Sequence, residues 1–320
     1  MKVWIDTDIG GDIDDALALL YAMTVEDLEI IGVSTVFQNT LARAKIAKKL
    51  FDMASMTDVK VYAGIGQPIK ATKVFNDPVD CITPPRTYIP ALFDDAKVEP
   101  MHAVDALRDA LLSSHNDITV ITLGALTNVA SLITNYPEAA KKIKSLAIMG
   151  TAQWLNLNEF NISCDPEAAD IVFRSDIHKT IVSLDVTFKC EVNKAQRELL
   201  KTCQSQLVKT VLSMNDLWGE GMILHDPLTL AEAINPKYVT FTPGNLKVEL
   251  EGEFSRGKCV NLADFNWKRQ PRADMLVSTN VDHDAFTNDY VNKIYGLDRA
   301  IIDDKMIYMR RNPNGKGESK

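Results

Sequence analysis

Asp6-Thr7-Asp8-Ile9-Gly10-Gly11-Asp12-Ile13-Asp14-Asp15-Ala16-Leu17-Ala18-Leu19-Leu20 follows directly on the apolar run Val3-Trp4-Ile5. The run reads as a strand and the apolar stretch after Asp15 as a helix, so five carboxylates within ten residues fall at one strand-to-helix turn. Without a cation these charges would repel one another strongly. Open α/β sheets place their ligands at the carboxyl ends of parallel strands, and a cluster there points to a hard divalent metal bound through oxygen. Helix capping by Asp12 or Asp14 accounts for one or two of these residues, not for five.

Outward from this turn, short β-branched runs alternate with amphipathic stretches. Strands are expected at 3–5, 30–36, 59–62, 118–123, 146–149 and 180–184, and helices at 14–23, 41–53, 103–113, 126–135, 166–173 and 194–217. That alternation predicts βαβ units and an open, mainly parallel, Rossmann-like α/β sheet flanked by helices. Residues 64–90 hold five prolines and few periodic positions, which predicts a long loop or flap. The segment 243–265, with Val248-Glu249-Leu250-Glu251-Gly252, reads as a small added hairpin. One domain is expected over 1–309, followed by a polar, frayed tail over 310–320.

The 320 residues, 46% hydrophobic, suffice for a sizeable core. A net charge of −8 with scattered Lys and Arg offers no basic face for a phosphate backbone, so nucleic acid is an unexpected partner. No run approaches the ~18 apolar residues of a membrane span, and the opening moves straight into a strand; a cytoplasmic protein without a membrane partner is expected. The five cysteines are odd in number, far apart and without a C-x-x-C pair, which predicts free, structural thiols, with Cys81 in the flap as the one to watch.

Two further clusters carry polar chemistry. Glu159-Phe160-Asn161-Ile162-Ser163-Cys164-Asp165-Pro166-Glu167 reads as a loop ending at a helix start, with Asp165 as N-cap and Glu159 and Asn161 pointing one way, a pair suited to sugar hydroxyls. His225-Asp226-Pro227 reads as a turn before the apolar helix that opens at Leu228. Alone it is a weak signal, since a loop His is more often a surface or packing residue.

Taken in series with Ser34-Thr35-Val36-Phe37-Gln38-Asn39, Leu123-Gly124-Ala125-Leu126-Thr127-Asn128 and Met149-Gly150, these motifs match in order and spacing. Through them the chain resembles the inosine-uridine-preferring nucleoside hydrolase family over nearly its whole length. The resemblance implies hydrolysis of the N-glycosidic bond of ribonucleosides to free base and ribose, in purine and pyrimidine salvage, by a homodimer or homotetramer. It implies calcium held by Asp8, Asp15, the carbonyl of Leu123 and Asp226. Asp14 and Asn161 correspond to residues that grip the ribose 2′- and 3′-hydroxyls, with Asn39, Met149 and Glu159 as further sugar contacts. Asp8 would act as general base, and His225 would stand beside the leaving base to protonate or orient it.

Three positions depart from the family pattern. The opening is two residues longer and carries the additional Asp12, which could replace Asp8 in the metal shell. Cys81-Ile82-Thr83-Pro84-Pro85-Arg86 stands where the family's flap has His-Gly, and an Asn that precedes Glu159 in the family could be matched by Gln153, Asn156 or Asn158. Turnover of both purine and pyrimidine ribosides is expected, with Trp154 and Trp218 as candidates for stacking on a purine. Two other readings stay open. A haloacid dehalogenase-type phosphatase also ends its first strand in Asp-x-Asp, but has no need of Asp-Asp at the helix start or of His-Asp-Pro. The other is a calcium-dependent nucleoside or sugar-binding protein without turnover.

Overall fold

Each of the six expected runs becomes a strand of one sheet. The computed structural model describes residues 1–70, 73–74, 77–263 and 270–303. The sheet is built from β1 (Lys2–Thr7), β2 (Glu29–Thr35), β3 (Val61–Ala63), β4 (Ile118–Thr122), β5 (Ser145–Met149), β6 (Lys179–Val182), β7 (Val239–Pro243) and β8 (Met275–Val281). Their spatial order is β3-β2-β1-β4-β5-β6-β8-β7, and only the last pair is antiparallel. From β1 the chain winds one way through β2 to β3, then returns to start β4 on β1's other side. The connections from β1 and β4 therefore diverge, and a crevice opens at the carboxyl ends of these two strands.

The longer helices are α1 (Asp14–Met23), α2 (Thr40–Met53), α3 (Ala103–Ser113), α4 (Thr127–Asn135), α5 (Pro166–Arg174), α6 (Gln206–Trp218), α7 (His225–Ile234) and α8 (His283–Ile302). Alternation along β1 decides which layer each packs with. Val3 and Ile5 enter one core with Leu17, Leu50, Val211, Leu228 and Tyr290, from α1, α2, α6, α7 and α8. Trp4 enters the other with Leu107, Val129 and Phe173, from α3, α4 and α5. The sheet is thus covered on both faces, as a parallel sheet of apolar strands requires.

Some expectations are corrected. The helix read over 194–217 is two, Lys194–Leu200 and α6, because Asp298 on α8 accepts from the backbone N–H groups of Gln204 (3.0 Å) and Ser205 (2.7 Å) and stabilises the break. Ser205 then caps α6 by accepting from Val208 N–H. Residues after Glu159 form a short helix, Phe160–Cys164, not a loop, because the Glu159 carboxylate caps it. α7 begins at His225 itself, which puts His225 and Asp226 in the first helical turn.

Within 64–90 the described residues are largely irregular, apart from a ribbon of Lys73–Val74 with Asp77–Pro78. The hairpin in 243–265 pairs Leu246–Val248 with Cys259–Asn261, and its Arg256 reaches Glu167 on α5 at 2.5 Å. The tail at 310–320 lies outside the described residues. Cys164, Cys190, Cys203 and Cys259 are buried and Cys81 half-buried, all as free thiols. Among the described residues no helix is long and apolar enough to cross a membrane.

Candidate active site

β1 delivers Asp8 one residue past its end, and two turns of chain later Asp14 and Asp15 open α1. α7 brings Asp226 to the same point from more than two hundred residues away. Leu123 follows β4 and Met149 closes β5, so five strand or helix ends meet above the crevice. All these residues line one cavity of about 410 Å³, together with Asp12, Glu159, Asn161 and His225. Of the five N-terminal carboxylates, Asp6 alone is not in the wall. It is buried beneath it, where it accepts from Ser34 Oγ and from Asn128 Nδ2 (2.8 Å) and ties β1 to β2 and α4.

Close packing fixes the acidic floor. A Cβ at Gly124 would stand 2.7 Å from Asp8 Oδ1, so only glycine lets the turn after β4 approach that carboxylate. Thr7 Oγ1 donates to Asp15 Oδ1 and orients it. Asp8, Asp14, Asp15 and Asp226 are each less than a tenth exposed, yet none has an ion-pair partner among the described residues. The nearest cation, Arg43, is spent on backbone and amide acceptors: Phe37 O (2.8 Å), Ile9 O (3.0 Å) and Gln38 Oε1 (3.1 Å).

The electrostatic consequence is that these carboxylates resist ionisation. Burial pushes Asp8 up to about 6 against the pull of the Arg43 guanidinium, and Asp12 adds to the rise. Burial, then Asp12, raises Asp14; burial, then Asp8 and Asp12, raises Asp15. Burial, then Asp14 and Asp15, raises Asp226. Such a set is frustrated without a multivalent cation and suits one, since several buried carboxylate oxygens and a backbone carbonyl are what a hard ion requires. Carboxylate oxygens of Asp12, Asp14 and Asp15 lie within 4.8 Å of one another, so Asp12 belongs to the metal-competent group and its two-residue insertion does not carry it away.

The remaining walls are polar in specific ways. Asn161 Nδ2 donates to the Leu123 carbonyl at 2.8 Å, which fixes the amide beside that oxygen. The Glu159 carboxylate, raised to about 7 chiefly by burial, accepts from the N–H groups of Thr151, Asn161 and Ile162. It therefore reaches the cavity while capping a helix, and does not point freely with Asn161 as the alternation suggested. His225 Nδ1 lies 2.7 Å from Thr187 Oγ1, and desolvation in the wall pushes the imidazole down to about 4, so the ring is neutral near pH 7.

Asn39 does not line the cavity. It caps α2 through Ala42 N–H and donates to the Ile82 carbonyl of the flap at 2.5 Å. Gln38 lines the wall, with a φ of 59° and its side-chain Oε1 accepting from Arg43. Trp218, at the end of α6, lines the cavity and carries the Arg86 guanidinium 4.9 Å above its ring. Trp154 is 73% exposed and lies outside the wall, as do Gln153, Asn156 and Asn158.

Arg43 and Thr187 were not singled out from the sequence. Arg43 had a signal, because it falls on the buried stripe of α2 with Ile46, Ala47 and Leu50, where a cation must have a reason to be. Thr187 had none, because its partner is 38 residues away.

Residues 3–288 match the family described as inosine-uridine preferring nucleoside hydrolase. Among curated proteins, the pyrimidine-specific ribonucleoside hydrolase RihA of Escherichia coli O81 (strain ED1a) is 27% identical over 311 residues, covering 90% of this chain and 96% of RihA. RihA of Salmonella agona (strain SL483) is 29% identical over 310 residues, with the same coverage. Among solved structures, the purine-preferring ribonucleoside hydrolase from Gardnerella vaginalis superposes with a TM-score of 0.78 at 27% identity, over 93% of this chain and 99% of the other. The plant nucleoside hydrolase PpNRh1 gives 0.79 at 25% identity, over 92% and 98%. With a match across nearly its whole length and an acidic, carbonyl-lined crevice at the switch point of the sheet, the chain belongs to the inosine-uridine preferring nucleoside hydrolase family, glycosidases of N-ribosyl bonds.

Proposed function

We propose that the protein hydrolyses the N-glycosidic bond of ribonucleosides to free base and ribose, with calcium on the acidic floor and Asp8 as general base. The observation that carries this reading is the set of buried carboxylates without ion-pair partners among the described residues, Asp8, Asp14, Asp15 and Asp226, that line one cavity with Leu123. Asp8, Asp15, Asp226 and the Leu123 carbonyl would hold the ion; Asp12, whose carboxylate clusters with those of Asp14 and Asp15, is the alternative to Asp8. When bound, calcium lowers the pKa of a water and orients it toward the anomeric carbon.

The chain's own groups do the rest. Asp8 takes the proton of the attacking water as C1′ gains oxocarbenium character. Asp14 and Asn161 grip the 2′- and 3′-hydroxyls, and Glu159 and Met149, beside Asn161 in the wall, supply further sugar contacts. Fixing the sugar against the water in this way contributes on the order of ~7 kcal/mol or more in favourable systems. His225, in the wall of the same cavity, meets the departing base.

A reducing-sugar assay over inosine, adenosine, guanosine, uridine and cytidine tests the reading, run with calcium, after chelation and after calcium is restored. Free ribose that disappears on chelation and returns with calcium is expected. Binding of nucleosides with no ribose released from any of them would instead mark a pocket without turnover.

A further inference from the structure

The short helix Leu184–Thr187 behind the cavity joins two parts of the wall that the reaction uses separately. Leu184 lines the cavity, the Asp185 carboxylate collects the N–H groups of Gln153, Trp154 and Leu155, and Thr187 meets His225. The contact at Thr187 decides something that His225 alone leaves open, namely which ring nitrogen carries the hydrogen. Nδ1 is engaged by Thr187, so Nε2 is the nitrogen left for the cavity.

We propose that Thr187 is a positioning residue whose hydroxyl donates to Nδ1 of His225, leaving the ring hydrogen on Nε2 as a hydrogen-bond donor to the leaving base. The inference rests on the ribonucleoside hydrolase reading above and specifies how its leaving-group residue works. Three observations support it. Among the described residues, the other acceptor for the Thr187 hydroxyl, the Leu184 carbonyl, is 3.5 Å away and already accepts from Phe188 N–H at 3.0 Å, so turning the hydroxyl from it forfeits little. The cavity in front of the ring is walled by Asp8, Asp12, Asp14, Asp15 and Asp226, and a nitrogen lone pair aimed at that field is repelled where an N–H dipole is attracted. Phe188 meets the imidazole edge-on, with centroids 5.7 Å apart at 71°, which restrains the ring from turning Nδ1 toward the substrate.

The chemistry balances without a protonated imidazole. As the C1′–N bond breaks, its electron pair passes to the base, and the hydrogen bond from Nε2–H stabilises that developing charge while the ring keeps its hydrogen. The attacking water leaves its hydroxyl on C1′ and its proton on Asp8. Asp8 returns the proton to solvent and the departed base takes one up, so the net consumption is one water.

Ring-¹⁵N-histidine protein, observed by NMR without substrate and assigned by the resonances that vanish in His225→Gln, reads the tautomer directly. Nε2 protonated and Nδ1 unprotonated is expected; hydrogen on Nδ1 would overturn the proposal whatever the kinetics show. Thr187→Val and Thr187→Ser are then compared on inosine, uridine and p-nitrophenyl riboside, whose leaving group needs no help. Thr187→Val should lower kcat on the two nucleosides by roughly 10- to 100-fold with KM changed less than about threefold, and leave p-nitrophenyl riboside within about threefold, as loss of an outer orienting group does. Thr187→Ser, which keeps the hydroxyl, should return the nucleosides to within about threefold of the parent.

Equal losses on all three substrates, or no rescue by Ser, would make the contact merely structural. If Thr187→Val does not fold, the tautomer and the Ser variant still decide. Should the parent protein release no ribose at all, the hydrolase reading fails on its own, and the NMR result still reports on the Thr187 contact.

Discussion

Asp226 shows how a single carboxylate can serve function at the expense of the metal-free fold. It is 2% exposed, burial and then Asp14 and Asp15 raise its pKa, and no cation is paired with it among the described residues. Asp226→Ala removes one of four mutually repelling groups, so the variant should melt no lower than the parent in chelator. It should lose the melting-temperature rise on adding calcium and at least about 100-fold in kcat/KM, as expected for loss of a metal ligand. Differential scanning fluorimetry with chelator and with calcium, beside the reducing-sugar assay, checks both parts. The 2′-hydroxyl poses the same question from the substrate side: a site built around it leaves its own groups unpaired with a deoxyribose, so deoxyinosine should be cleaved about 10⁴-fold more slowly than inosine. Comparable rates would remove Asp14 and Asn161 as the ribose grip. Gly10 answers to backbone geometry instead. Its φ is +105°, and a Cβ there would come within 2.6 Å of Ile46 Cδ1 and 2.7 Å of Pro85 Cγ. Gly10→Ala should cost about 1–3 kcal/mol, measured by urea unfolding, through strain and displacement of the flap.

At the scale of elements, the site depends on how the helix ends are fixed. The flap is anchored near the active-site turn by Thr87, whose N–H and hydroxyl both donate to the Gly10 carbonyl, at 3.1 and 3.0 Å. Arg86 beside it reaches Trp218 at the end of α6, so the added residues of the acidic turn, the flap and α6 form one packed unit. The start of α6 depends on Asp298, which holds two backbone N–H groups at the break before Ser205 and is itself 2% exposed. Asp298→Ala leaves those donors unpaired and should destabilise the protein by about 1–3 kcal/mol. Chemical denaturation would show it, and an unchanged midpoint would mean that the break is set by chain geometry and Ser205 alone.

For the molecule as a whole, the raised carboxylates link folding, pH and metal. Asp8 titrates near 3.8 when unfolded and about 6 when folded without metal, so between those values the folded state binds more protons than the unfolded. Metal-free stability must then fall as pH rises through that window, and Glu159, raised from 4.5 to about 7, extends the same trend upward. Calcium binding favours the ionised carboxylates and opposes the loss. The melting temperature in chelator should therefore drop from pH 5 to pH 7, and the rise produced by calcium should be larger at pH 7 than at pH 5. A rise of the same size at both values would detach the metal from these carboxylates.

The sequence by itself determined six of the sheet's eight strands and the place of its ligand crevice, whereas β7 and β8 were not among the expected runs. Apolar runs of period two and helical stripes of period 3.6 are local properties of the chain, and they set six parallel strands in order with the acidic turn after the first. α8 was not expected from the sequence: Phe286, Tyr290, Ile294 and Leu297 lie on its buried side, but its polar surface hides the pattern. The motifs also carried the family, and through it the meeting of Asp8 with Asp226. Tertiary structure alone decided the rest. It sent Asp6 beneath the floor while Asp8 stayed in it, turned Asn39 to the flap, made Glu159 a cap as well as a wall, broke the helix at 201–205, and set Thr187 against His225. The physical reason is that periodicity says which face of an element is buried, whereas the partner of a buried polar atom is whichever donor or acceptor long-range packing brings within about 3 Å.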